Sequence, residues 1–218
     1  MDWGSVAGSR IVSGSVGIPY YGAFVADVEL VTTTALPSIV SVTLGNLTLA
    51  GAVYRQSQFA GKTLARLVGG AGGWSQTVQA RFWRNTQGLM ASTVLRDTAI
   101  DAGEKVNLAA DFSVGVFWTR RADKASRVLA RLAGPEWWID SSGTTQIGAR
   151  SSTVITSAFQ LEEFDGARGL ATVATEDLAS WMPGNTFSND VLTTPTMIAS
   201  VRHSLSGDGV ARLQVMTR

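Results

Sequence analysis

The chain contains no cysteine and a single histidine, His203. The first absence excludes disulfides, thiolate metal sites and a cysteine nucleophile, and the second excludes a histidine-rich metal centre. There is no surplus of charge either. Eighteen basic side chains face seventeen acidic ones, a formal net charge of +1, so nothing marks the whole molecule as a nucleic-acid or membrane-surface binder. The charge is graded along the chain: residues 1–90 carry 6 basic and 3 acidic groups, residues 91–150 carry 8 and 7, and residues 151–218 carry 4 and 7. Such a gradient suits head-to-tail complementarity between copies rather than phosphate binding. The opening MDWGSVAGSR has no basic segment followed by an apolar run, and no secretory leader is expected. From Leu30 to Tyr54 no residue is charged, but Thr32–Thr34, Pro37, Asn46 and Thr48 make the stretch too polar to span a bilayer, so no membrane insertion is expected.

What is present is β-sheet patterning. With 218 residues, 45% of them hydrophobic, the chain can bury substantial cores. Over residues 11–90 short runs alternate in polarity: Val16 and Ile18 with Ser13 and Ser15, Val28 and Leu30 with Asp27 and Glu29, Val78 and Phe82 with Thr77 and Arg81. Gly45-Asn46 between two apolar runs has the chemistry of a two-residue hairpin turn. About six strands with short turns predict an antiparallel barrel.

Near residue 91 the period changes. Val94, Leu95, Thr98, Ala99 and Ala102 recur at helical spacing, with Ser92 as a cap candidate and Gly103 as the stop. A second helix carries Ala125, Val128, Leu129 and Leu132 on one face, with Asp123 as the cap candidate and Gly134-Pro135 as its end. WWIDSSGTTQIG, residues 137–148, then reads as a hairpin turning at Ser141–Gly143. From residue 151 the pattern is β again, through STVITSAFQL to a closing hairpin in which Val201 and His203 oppose Leu213 and Val215. The expected fold is therefore mainly β with a small α+β module: a β-barrel over residues 1–90, a two-helix plus hairpin module over 91–150, and a second barrel-like segment over 151–218.

Chemical motifs are weak. GKT at 61–63 lacks the first glycine of a phosphate-binding loop, since Gln56 stands in its place, and no nucleotide is expected. The cluster Gly69-Gly70-Ala71-Gly72-Gly73 precedes the alternating WSQTVQARFW instead of a helix, so it reads as a hairpin loop, one that presents Trp74 as a candidate contact to a neighbouring subunit. No serine-hydrolase elbow or zinc-protease motif is present. Glu162 and Glu163 do not form a glycosidase pair, because adjacent strand positions point to opposite faces. Arg120 and Arg121, followed by Lys124, Arg127 and Arg131, read as an intersubunit salt-bridge surface or a solvated helix face. No catalysis and no cofactor are expected. An alternative, a carbohydrate- or receptor-binding module, requires several of Trp74, Trp83, Trp137, Trp138 and Trp181 to be exposed on one surface.

The order of modules, with STVLRDTAIDAGEKV, then KASRVLARLAGPEWWIDSSGTTQIGAR, then IASVRHSLSGDGVARLQV, resembles the baseplate hub proteins of phage tails and, more distantly, the hub part of type VI secretion spike proteins. The resemblance implies a structural protein of the virion tail, assembled in the host cytoplasm. It also implies a homotrimer joining the tail tube to a central spike or other baseplate proteins.

Overall fold

Side chains alternate across a strand, so a strand with one apolar row is stable only where that row meets a core. A computed structural model describes residues 4–190, 192–206 and 211–218. The first six strands are β1 (Gly4–Val6), β2 (Ser9–Pro19), β3 (Val25–Leu30), β4 (Ile39–Leu44), β5 (Leu47–Phe59) and β6 (Lys62–Gly69). They pair antiparallel in the order β1-β4-β5-β6-β3-β2, and β2 returns to β1, which closes a six-stranded barrel. Gly45-Asn46 is indeed the β4–β5 turn, with Leu44 opposite Leu47. The GKT tripeptide opens β6 beyond a turn in which Ala60 and Gly61 both take positive φ, at 49° and 78°.

The next strands depart from expectation. A 3-10 turn (Gly73–Ser75) leads into β7 (Thr77–Val78) and β8 (Arg81–Arg84), which pair outside the barrel. The physical reason is which edges are left: β1 closes the barrel on the first residues of β2 and β17 takes the rest of that edge, so β7 and β8 find their partners in the module. The chain continues through α1 (Ala91–Ala102), β9 (Val106–Leu108), β10 (Phe117–Arg120), β11 (Asp123–Lys124), α2 (Ala125–Ala133), β12 (Trp137–Ile139) and β13 (Thr145–Ile147). β8 pairs with β10, β7 with β11, and β13 lies between β12 and a parallel β9. In α1 every residue of the expected apolar face is buried, and Gly103 ends the helix in the left-handed conformation. The caps differ: Met90 and Lys124 occupy the N-cap positions, without side-chain capping. Ser92 instead binds Asp111, and Asp123 accepts from the Lys124 amide and from Arg127.

The C-terminal segment adds β14 (Gln160–Asp165), β15 (Leu170–Ala174), β16 (Thr186–Phe187), β17 (Thr196–Leu205) and β18 (Ala211–Thr217). Most of the stretch before β14 is irregular, with Val154 making one isolated bridge to Thr186. The β17–β18 hairpin is as expected, although the turn at 207–210 lies outside the described residues. A bulge in β17 lies between Ile198 and Ser200, and Ile198 is fully buried.

The two β segments are not separate bodies. The eleven-residue β2 pairs with β3 through residues 11–17 and with β17 through residues 14–19, so one sheet runs from the closed barrel through β17, β18 and β15 to β14. A single apolar cluster contains Val16, Phe24 and Leu67 together with Val173, Trp181 and Leu213. A second core, built on Trp74, Leu95, Leu129, Ile139 and Ile147, belongs to the module.

Candidate assembly surface

The glycine loop after β6 is a cradle for an anion, and the chain supplies that anion. The amides of Ala71 and Gly73 donate to the two carboxylate oxygens of Glu104, at 3.0 and 2.6 Å. Successive backbone N–H groups in such a turn favour negative charge. A side chain would not fit: a Cβ on Gly73 would lie 1.7 Å from the carbonyl oxygen of Ala102, and one on Gly70 2.8 Å from Glu104. Burial raises the Glu104 carboxyl above its ordinary range, partly offset by the amide hydrogen bonds. The resemblance to a phosphate loop thus has a physical basis, but its occupant is a side chain of the same protein. Glu104 itself carried no sequence signal, because the loop and the end of α1 are about thirty residues apart.

Trp74 follows in the module core, 6% exposed, with its indole N–H donating to Thr145 Oγ1 at 2.8 Å. Arg120 is 1% exposed. It donates to the Gln79 carbonyl at 2.8 Å, to Thr98 Oγ1 at 3.0 Å and to Asp101, and it lies 5.4 Å from the ring centre of Trp83. Trp83 in turn donates to Asp97, which pairs with Arg81. Two of the three interface candidates, Trp74 and Arg120, therefore have their polar groups engaged inside the protomer. Of the candidates, Arg121 is exposed.

These inner contacts define the outer surface. In the β8–β10 ribbon, Trp83 and Trp118 pair directly and face the module, their rings 5.7 Å apart. The strand alternation then places Phe82 and Phe117 outside, 59% and 61% exposed, with rings 6.3 Å apart. Val116 beside them is also exposed, and Arg84 and Arg121 flank the pair in sequence. Large apolar side chains next to guanidinium groups have the composition of a protein interface, an apolar centre with a polar rim.

The module is joined to the barrel by the WWIDSSGTTQIGAR segment. The Gly22 amide donates to the Trp137 carbonyl at 2.7 Å, the Ile139 amide to Gly22 at 3.1 Å and the Ala50 amide to Ser141 at 2.8 Å. Asp140 shapes this turn, accepting from the Ser142 and Thr144 amides and from Gln146. Burial raises its carboxyl, yet these bonds outweigh the burial and leave it below the ordinary value. Arg150, which had no place in the sequence reading, fastens three segments. It donates to the carbonyls of Tyr20 and Pro19 at 2.6 and 2.9 Å and to that of Pro183 at 3.3 Å, and lies 4.1 Å from the Trp138 ring centre. Burial without a carboxylate partner among the described residues pulls its guanidinium down to about 10.

Trp74, Trp83 and Trp181 are buried and Trp137 and Trp138 half-buried. The exposed tryptophan surface that a carbohydrate platform requires is therefore not formed by them. Glu162 and Glu163 differ from the simple alternation: a bulge in β14 between Leu161 and Glu163 leaves both exposed. Among the described residues no group of three or more His, Asp or Glu side chains could hold a metal, and no helix is long and apolar enough to cross a membrane.

No family model and no curated protein sequence matches the chain. Solved structures do, over almost its whole length. A 43 kDa tail protein of prophage MuSo2 from Shewanella oneidensis superposes with a TM-score of 0.64 at 13% identity, covering 98% of this chain and 96% of the other. A tail protein from Neisseria meningitidis MC58 gives 0.63 at 12% identity, with 98% and 95% covered. An E. coli component of the type VI secretion system, itself similar in structure to the T4 bacteriophage tail proteins gp27 and gp5, gives 0.69 at 10% identity, with 98% and 76% covered. The chain has a phage-tail protein fold. In this tail-protein fold the sheet shared between β2 and β17 and the module clamped by Arg150 form the frame, and the β8–β10 ribbon stands on its surface.

Proposed function

We propose that this protein is a structural component of a bacteriophage tail or baseplate, a hub-like subunit that assembles with copies of itself. In that role it connects the tail tube to a central spike or tail tip through protein–protein contacts, as a homotrimer in the virion. The observation that carries this reading is the end-to-end match to two tail proteins, 98% of this chain against 96% and 95% of theirs. At such low identity what is shared is the frame of the fold, and a frame kept without sequence suits a part defined by shape. The exposed phenylalanine and arginine surface supports the same reading, since it is built for contact rather than for reaction.

Electron microscopy of particles carrying a tagged copy of the chain tests the role. The expected result is label at the tail end distal to the head, and particles without functional tails when the gene is deleted. Intact infectious particles that lack the protein would overturn the proposal.

A further inference from the structure

Two exposed surfaces of this molecule carry charges of opposite sign without an ion pair among the described residues. In the module Asp97 and Asp101 hold Arg81 and Arg120, Glu104 sits in the glycine loop, and Asp140 is engaged by its own turn. The exposed guanidinium groups of Arg84, at the end of β8, and Arg121, just after β10, have no ion pair among the described residues. At the other end of the chain β14 is the terminal strand of the long sheet, with one edge unpaired among the described residues. The exposed carboxylates of Glu162 and Glu163 on it likewise have no ion pair there.

Each surface lacks what the other offers. The ribbon presents two exposed phenylalanine rings, with Arg84 opposite Phe117 and Arg121 just beyond the end of β10, an apolar area that water solvates poorly. The sheet edge presents two unneutralised anions, which discourage indiscriminate strand pairing and favour a basic partner. With eighteen basic and seventeen acidic groups, the chain supplies both halves of the match itself.

We propose that the β14 edge of one copy docks on the Phe82–Phe117 face of the next, with Glu162 and Glu163 meeting Arg84 and Arg121 and the two rings covered. The contact joins two different surfaces, so it is head-to-tail and propagates around a ring or along a filament. It rests on the reading of the protein as a self-assembling tail component and names the faces that mate.

Two double reversals, Arg84→Glu with Arg121→Glu and Glu162→Lys with Glu163→Lys, test it together with the chain carrying all four changes. All four side chains are exposed, and unchanged melting temperatures confirm that the fold is kept. Sedimentation velocity over a range of concentrations is expected to show the unaltered chain self-associating, more weakly at high salt. Each double reversal should weaken association about tenfold or more, and the fourfold variant should recover it. The proposal is overturned if the unaltered chain stays monomeric throughout, if either double reversal assembles as tightly as the unaltered chain, or if the fourfold variant fails to recover. Assembly that ignores the reversals removes this docking but leaves the tail role standing, whereas the role fails only in the particle experiment.

Discussion

His203 lies on β17 between Val16 of β2 and Leu213 of β18, 1% exposed, and its Nε2 has no hydrogen-bond partner among the described residues. Burial pulls its imidazole down to about 4 from an ordinary 6.5, so the folded state binds fewer protons than the unfolded state between those values. Stability is therefore complete above about pH 6.5 and falls as pH drops toward 4, by on the order of 3 kcal/mol in all. Replacing His203 with leucine, which needs no partner, should flatten that part of a urea-denaturation series measured against pH. An unchanged slope would show that other groups set it. Glu104 acts with the opposite sign. Its raised carboxyl is protonated more readily in the folded state, so its contribution is present below the ordinary value of 4.5 and is lost as pH rises through the raised one. Gly73→Ala should be among the most damaging single changes, because its methyl group would meet the Ala102 carbonyl. A loss above roughly 3 kcal/mol is expected in the same denaturation assay, as for other overpacked backbone contacts.

At the scale of elements, the hairpin of β12 and β13 is what attaches the module. Its turn is held by Asp140, and a hydrogen bond to a charged acceptor contributes about 1.5–3 kcal/mol. Asp140→Ala and Arg150→Ala should each raise amide hydrogen exchange at Gly22, Ala50 and Ile139, where module and barrel meet, while β4 and β5 keep their protection. Equal protection at those amides would mean that the module is held by its apolar contacts alone. Arg120→Lys should destabilise by about 3–5 kcal/mol, since an ammonium cannot reach the Gln79, Thr98 and Asp101 acceptors together; a thermal melt checks this. Much of this level was legible beforehand. Both helices and the β4–β5 and β17–β18 hairpins follow from local periodicity and turn chemistry, which depend on neighbours a few residues away. The strands at residues 77–84 were assigned to the barrel because alternation identifies a strand without naming its partner. Of the residues the sequence offers as interface candidates, Arg121 is exposed, whereas Trp74 and Arg120 sit inside the module, because burial depends on distant segments that local pattern does not name.

At the scale of the whole molecule, a closed barrel, a sheet continued beyond it and a clamped module make a frame with charged and aromatic side chains on its outside. Assembly of such a body through its surface predicts a salt-sensitive association constant with little change in secondary structure. Circular dichroism measured through the association range should therefore stay constant, and a large change would indicate folding coupled to assembly.

By itself the sequence determined the class of this protein and much of its local structure, because composition and short-range periodicity act within one element. Tertiary structure alone decided that β2 serves both β segments, that the glycine loop binds Glu104 and that Arg120 is buried while Phe82 and Phe117 are exposed. Those outcomes depend on which distant segments meet, which local periodicity does not encode: β1 occupies only the start of β2, and that leaves residues 14–19 of the strand to β17.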